Sequence, residues 1–281
     1  MLATLIWDPS PYLFSFKIPL IERPILWYGF LFAIGFLVGY RALALLAKRY
    51  CSTTPLLLHP SFEDNSSKFI EKLSLFVILG GLIGARLGDL LFYQKFQAIL
   101  DQPLMLISFW EGGLDSHGGA IGILIAFALF ARKYHFPFFQ LIDLVSIPIT
   151  AAAVFIRIGN FFNQEILGTP TNLPWGILFL HPADGSFIVP RHPAQLYEAI
   201  AYLTITCLLI YKRELLKIPG KMAGLFILLV FSARFCIEFL KEEQSIYLSA
   251  MSILTMGQYL SIPFILMGLL LFLKRPKKLA A

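Results

Sequence analysis

The sequence predicts an all-α, polytopic membrane protein of about seven transmembrane helices with an arm or head segment on the outer, periplasmic side. Three observations predict it. First, only 14% of the 281 residues are charged and 58% are hydrophobic, whereas a soluble domain carries about 25% charged residues. That leaves too little polar surface to wrap a water-soluble globule of this size, so lipid must solvate much of the chain. Second, the apolar runs are continuous and do not alternate, which fits helices and excludes a closed barrel. Third, residues 159–193 separate two such runs by far more than a turn requires. They hold Pro170, Pro174, Pro182, Pro190 and Pro193, and the apolar patches Trp175 to Leu180 and Phe187 to Val189 argue against disorder.

A span needs roughly 20 mostly apolar residues, and seven windows qualify: 26–46, 70–93, 117–134, 137–158, 194–211, 221–240 and 257–274. Span 1 holds Gly35 and Gly39, and Arg41 one turn from its inner end, from where it snorkels. Span 2 holds Gly80, Gly84 and Gly88 at four-residue spacing. Such faces of small residues let helices approach closely, and packing is the reading for all five glycines. Span 3 starts at His117. Span 4 carries Asp143 near one end and Arg157 near the other. Spans 5, 6 and 7 are entered by the runs Arg191–Glu198, Lys217–Lys221 and Leu254–Gln258. The whole chain reads as a single integral membrane domain. Asp8, Lys17, Glu22 and Arg23 precede span 1 without the basic and short apolar regions of a cleavable signal, so span 1 is expected to stay.

The formal charge is +6. Its basic residues sit between the apolar runs, which makes them a topology signal and no sign of a nucleic-acid partner. Lys48, Arg49, Lys68 and Lys72, then Arg132 and Lys133, then Lys212, Arg213, Lys217 and Lys221, then the tail from Lys274 to Lys278 all fall on one side. The other side has only Lys17, Arg23, Lys95, Arg191 and Lys241. The excess of positive charge places the C-terminus in the cytoplasm, and seven spans then place the N-terminus outside. Cys51, Cys207 and Cys236 are scattered without CxxC spacing, so they read as inert thiols. No close set of His, Cys and carboxylate groups suggests a metal, and no cofactor is expected.

With that orientation, Arg86, His117, Arg157 and Arg234 lie on four spans at one depth, toward the outer leaflet. An arginine at a bilayer centre costs about 2.5–3.5 kcal/mol on insertion scales, so such residues need partners or a wet cavity. Arg86 with Asp89 (i,i+3) and Arg234 with Glu238 (i,i+4) each share a helix face. They read either as ion pairs that fasten a bundle or as parts of a polar site.

Three runs add chemistry at the same depth. Gly112-Gly113-Leu114-Asp115-Ser116-His117-Gly118-Gly119 could present backbone N–H groups to an anion at a helix start, with a histidine able to hold a proton near neutral pH. Residues 157–168, from Arg157 through Asn160, Asn163 and Glu165 to Gly168, place a cation, two amides and a carboxylate beside the membrane, which suits a phosphate and a polar glycerol. An interfacial cap is the plainer alternative. Arg191-His192-Pro193-Ala194-Gln195-Leu196-Tyr197-Glu198 enters span 5, where Glu198 suits the first turn of a helix.

Together with Arg234 and Glu238, these runs resemble the prolipoprotein diacylglyceryl transferases. The family signature R-x-G-N-F-x-N-x-E-x-x-G is matched at every fixed position by residues 157–168. Trp27-Tyr28-Gly29, Arg86 with Gly88, and Leu254-Thr255-Met256-Gly257-Gln258 match as well, so the resemblance runs in order along nearly the whole chain. There are departures. Ile156 stands where a glycine usually precedes the signature arginine. Val230 stands where well-known members have a tyrosine, so no tyrosine role is carried over. Asp115 stands where many members have a small or apolar residue.

The resemblance implies a bacterial inner-membrane enzyme. It would move the diacylglyceryl group of phosphatidylglycerol to the lipobox cysteine of an exported prolipoprotein, with glycerol 1-phosphate as leaving group. Planar guanidinium forks suit a leaving phosphate, so Arg157 and Arg234 are expected to hold it, with Asn160, Glu165 and Gly168 shaping the headgroup site. His117 acts as base or orienting donor, and Tyr28, Arg86, Glu238, His192 and Gln195 are further substrate contacts. A lipid or anion transporter would use the same arginines to pass a charged substrate, but no internal repeat or matched pair of broken spans accompanies them. A purely structural membrane protein would use its charges only to fasten helices.

Overall fold

A computed structural model describes residues 5–14, 25–51, 66–92, 104, 116–242 and 253–274. Seven long helices are described: α1 Trp27–Cys51, α2 Ser66–Phe92, α3 Ser116–Lys133, α4 Phe138–Phe162, α5 Ala194–Tyr211, α6 Lys221–Glu238 and α7 Met256–Leu273. Each coincides with one predicted window. α1, α2 and α4 run past their windows into polar residues, because a helix started in lipid need not end where its apolar run ends. Five of the seven (α1, α2, α4, α5 and α7) are long and apolar enough to cross a membrane, which makes this a polytopic membrane protein. The other two are diluted by polar residues. α3 opens on His117-Gly118-Gly119 and ends on Arg132-Lys133, and α6 carries Lys221, Arg234 and Glu238.

The chain divides into two compact units, residues 43–142 and residues 1–42 with 143–281. In the first, α2 and α3 pack backbone to backbone. A Cβ at Gly80 would lie 2.6 Å from the Ala126 Cβ and 2.7 Å from the Gly122 carbonyl oxygen. Substituents on Gly84 and Gly118 would strike each other's backbone, and a Cβ at Gly118 would also lie 2.7 Å from the Gly88 Cα. The packing role predicted for the α2 glycines is therefore observed, and Gly118 is its partner on α3. An aromatic cluster closes one end of the pair: Phe130 meets Phe69, Phe76 and Tyr134 at ring distances of 5.5, 5.4 and 4.7 Å. Lys72 lies 5.2 Å from the Tyr134 ring.

The second unit holds α1, α4, α5, α6 and α7. Gly35 and Gly39 of α1 face α4, where a Cβ would lie 2.9 Å from the Ala152 oxygen and 3.1 Å from the Pro148 oxygen. α6 and α7 approach at Gly224 and Gly268 and stack Phe231 on Phe264 at 4.3 Å. Thr255 and Gln258 form a reciprocal capping box at the start of α7.

The predicted all-α class omits short strands that this unit also contains. β1 (Leu5–Trp7) pairs in parallel with β4 (Ile177–Phe179), and β4 pairs antiparallel with β5 (Pro190–Arg191). β2 (Tyr12–Phe14) and β3 (Ile25–Leu26) form a separate antiparallel pair. The 159–193 segment thus folds on a small core of Phe161, Leu167, Ile177 and Phe179, with Trp7 and Leu196 packed against it. The Trp7 indole donates to the Phe161 carbonyl at 3.1 Å, and Trp27 stacks on Phe162 at 4.8 Å. The stretch between the second and third predicted windows, residues 94–116, which includes Asp115, lies outside the described residues apart from Leu104 and Ser116.

Candidate active site

α4 ends in the signature run, and the turn that follows aims its polar groups back toward Arg157. The Arg157 Nη1 donates to Asn160 Oδ1 at 3.1 Å, and Asn160 Nδ2 donates to Glu165 Oε1 at 2.7 Å. This relay needs a tight bend between Asn160 and Glu165. The chain supplies it with left-handed backbone at Gln164 (φ 51°) and Ile166 (φ 58°), on either side of Glu165. For a β-branched residue such as Ile166 that conformation is strained, and strain of this kind persists only where surrounding contacts hold it. The contacts are present. Gln164 is buried, and its side-chain oxygen accepts the His181 N–H at 2.7 Å. The fully buried Gln195 donates to the Glu165 carbonyl at 2.6 Å.

Arg157 is neutralised from α5. Its Nε lies 3.0 Å from Glu198 Oε2, and the Glu198 side chain is completely buried. Tyr202, one turn further along α5, is buried close enough to Arg157 to interact with it electrostatically. Lys241 joins the same carboxylate at 3.6 Å and reaches Glu238 at 3.3 Å. Isolated charges in lipid or protein interior are costly, and pairing in a network is what makes them tolerable.

Arg234 is the exception. It is half-buried on α6 and feels the Tyr202 hydroxyl electrostatically, yet among the described residues it has no ion-pair or hydrogen-bond partner. The sequence expectation that Arg234 pairs with Glu238 is corrected here: Glu238 pairs with Lys241. The Glu238 carboxylate turns against Gly257 of α7, where any side chain would collide with it.

Tyr28, near the start of α1, lies in the electrostatic field of both Glu165 and Arg157. Its ring fills the space left at Gly159, where a Cβ would be 3.0 Å from the Tyr28 Cδ2. Gly168 sits where three stretches of chain cross. It bridges Lys241, its N–H donates to the His192 carbonyl at 3.2 Å, and a Cβ would lie 2.6 Å from the His192 Cβ and 2.8 Å from the Leu240 oxygen. His192 Nδ1 is 3.1 Å from the Tyr197 hydroxyl, which also accepts from the Trp175 indole at 2.9 Å. Gly168, His192 and Gln195 therefore hold the signature loop in shape. Arg191 does the same, with hydrogen bonds to the Gly168 carbonyl and to Glu242.

Arg86 and His117 belong to the other unit. Arg86 is buried on α2 and lies 3.7 Å from Asp89, the predicted i,i+3 partner. His117 is in the first turn of α3, and its side chain lies outside the described residues. Sequence reasoning missed Glu198 as the partner of Arg157, and missed Tyr202, Lys241 and Gln164 altogether. Glu198 had been assigned to a helix start. The only available signal was its place in the matched Arg191–Glu198 run. No group of three or more potential metal ligands occurs among the described residues.

The family model for prolipoprotein diacylglyceryl transferase matches residues 13–274. The chain is similar to proteins named phosphatidylglycerol–prolipoprotein diacylglyceryl transferase from Tolumonas auensis (38% identical, covering 98% of this chain and 99% of the relative) and Chlamydia trachomatis (38%, 93% and 95%). It is similarly related to the protein of that name from Protochlamydia amoebophila (34%, 96% and 94%). The chain belongs to the prolipoprotein diacylglyceryl transferase family.

Proposed function

We propose that this protein transfers the diacylglyceryl group of phosphatidylglycerol to the cysteine thiol of a prolipoprotein lipobox. The bond formed is the thioether between the cysteine sulfur and the glyceryl carbon. The bond broken is that carbon's phosphoester C–O bond, and its electron pair leaves with glycerol 1-phosphate. Family membership supports the reaction. The observation that carries the site is the contrast between two arginines near one tyrosine: Arg157 is matched by Glu198, and Arg234 has no counter-charge among the described residues.

On this reading Arg234 takes the lipid phosphate as its missing partner, and the Arg157 fork completes the clamp. Planar guanidinium forks suit a phosphate whose charge grows as the C–O bond breaks. Asn160 and Glu165, held by the Gln164–Ile166 turn, offer hydrogen bonds to the glycerol headgroup, and Tyr28, Gly168, His192, Gln195 and Glu238 line or shape that site. The attacking thiol has an ordinary pKa of about 8.5 and reacts as thiolate. Nearby arginines favour the thiolate, and the family resemblance gives His117 the role of proton acceptor or orienting donor.

The proposed topology follows the charge asymmetry of the sequence. Seven spans cross a bacterial inner membrane, with the N-terminus and the 159–193 arm outside and the C-terminus in the cytoplasm. That places the site in the outer leaflet, where an exported peptide presents its cysteine.

The test uses purified protein, phosphatidylglycerol and a lipobox peptide, followed by mass spectrometry. A gain of one diacylglyceryl unit that needs the peptide cysteine is the expected result. A folded, lipid-loaded preparation that leaves the peptide unchanged would overturn the proposal.

A further inference from the structure

α6 begins without a cap of its own. Its first residue follows Gly220, which has left-handed backbone (φ 82°) and no side chain to accept the orphaned N–H groups of the first turn. Those groups are satisfied from another helix. Asp143, near the start of α4 and 2% exposed, accepts the Gly220 N–H at 2.6 Å through Oδ2 and the Ala223 N–H at 2.6 Å through Oδ1. A carboxylate that accepts two helix-start N–H groups combines the hydrogen bonds of a cap with the favourable field of the helix dipole. It is thus a two-point dock between α4 and α6.

The dock has a consequence at the far ends. Arg157 lies as many residues beyond Asp143 as Arg234 lies beyond Gly220, fourteen in each case. At a rise of 1.5 Å per residue both guanidinium-bearing residues stand about 21 Å above the dock. The Tyr202 hydroxyl lies within electrostatic range of both Arg157 and Arg234, which agrees with that placement. We propose that Asp143 is a positioning residue, which docks the start of α6 on α4 and thereby sets the height at which Arg234 meets Arg157. Its effect on turnover rests on the phosphate clamp proposed above; its effect on helix position does not.

The test compares Asp143→Asn with the parent in otherwise full-length protein. Asn turns an N–H₂ toward one of the two backbone donors, so one dock bond is lost. Nitroxides at Ile149→Cys on α4 and at the native Cys236 on α6, both exposed positions, report the helix offset once Cys51 and Cys207 are serine. The expected result is a shifted and broadened distance distribution with a turnover loss of up to about 100-fold. In an Arg234→Ala background the added loss should vanish, because the two changes act through one group. An unchanged distance, or losses that multiply in full, would overturn the proposal. Should Asp143→Asn fail to fold, Asp143→Glu keeps both acceptor oxygens on a longer stem and should shift the same distance. A moved distance with a silent Arg234→Ala would sink the phosphate clamp and leave the dock standing.

Discussion

The seam between α2 and α3 and the polar cluster around Arg157 hold their helices together by opposite means. In residues 43–142, α2 and α3 meet through glycines, so close that a methyl group at Gly80, Gly84, Gly118 or Gly122 has no room. In the other unit the helices around Arg157 are joined by polar side chains: Glu198 to Arg157 and Lys241, Lys241 to Glu238, Asn160 to Glu165, Gln195 to the Glu165 carbonyl. Lipid tails give apolar helices no hydrophobic reason to associate, so close packing serves the α2–α3 seam, as it does α1 on α4 and α6 on α7. Polar residues serve the helices around Arg157, at the risk that any lost partner leaves a charge unpaired. The difference teaches where to look for a ligand. A glycine seam leaves no room for one, whereas beside the charge network stands Arg234, a cation with no ion-pair partner among the described residues.

The sharpest way to break the comparison is Glu198→Ala. It strips Arg157 of its carboxylate and Lys241 of one of two, and should cost about 3–5 kcal/mol of stability, read as a lower Tm. Glu198→Gln should recover part of it. Arg234→Ala should do the reverse. With no ion-pair partner among the described residues to abandon, the protein keeps its abundance and Tm, while kcat for peptide lipidation falls by about 10²–10³. Gly122→Ala should act only on the seam, costing about 1–3 kcal/mol by overpacking. It should lower the yield of folded protein in the membrane fraction, with the recovered protein keeping its specific activity. The smallest effect is expected from Gly159→Ala, where the Tyr28 ring must give by a few tenths of an ångström. Stability should drop by no more than about 1 kcal/mol, and KM for phosphatidylglycerol should rise through the displaced tyrosine.

The helices were legible because each is a long apolar run, and the glycine seam because its members recur every four residues. The strands were not. β1, β4 and β5 are two or three residues long and pair Leu5 with Ile177 and Ile177 with Arg191, so neither alternation nor a turn signal announces them. The signature run was legible as a polar cluster, and Arg157, Asn160 and Glu165 do form one relay. The partner of Arg157 was not, since Glu198 is brought to it only by the packing of α5 on α4. Arg234 with Glu238 was a reasonable local expectation that the structure does not bear out. Glu238 sits at the end of α6, where Lys241 in the following turn can reach it on the same face. Local spacing identifies who could pair, and tertiary packing decides who does.

The central claim is that Arg234 is unmatched because its partner is the lipid phosphate. The most direct measurement is phosphatidylglycerol binding to purified wild-type protein and to Arg234→Ala, by ³¹P NMR in detergent, with Tm recorded on the same samples. The account predicts a bound phosphate resonance in the wild type that is lost in Arg234→Ala at unchanged Tm. An equally bound lipid in Arg234→Ala would contradict it.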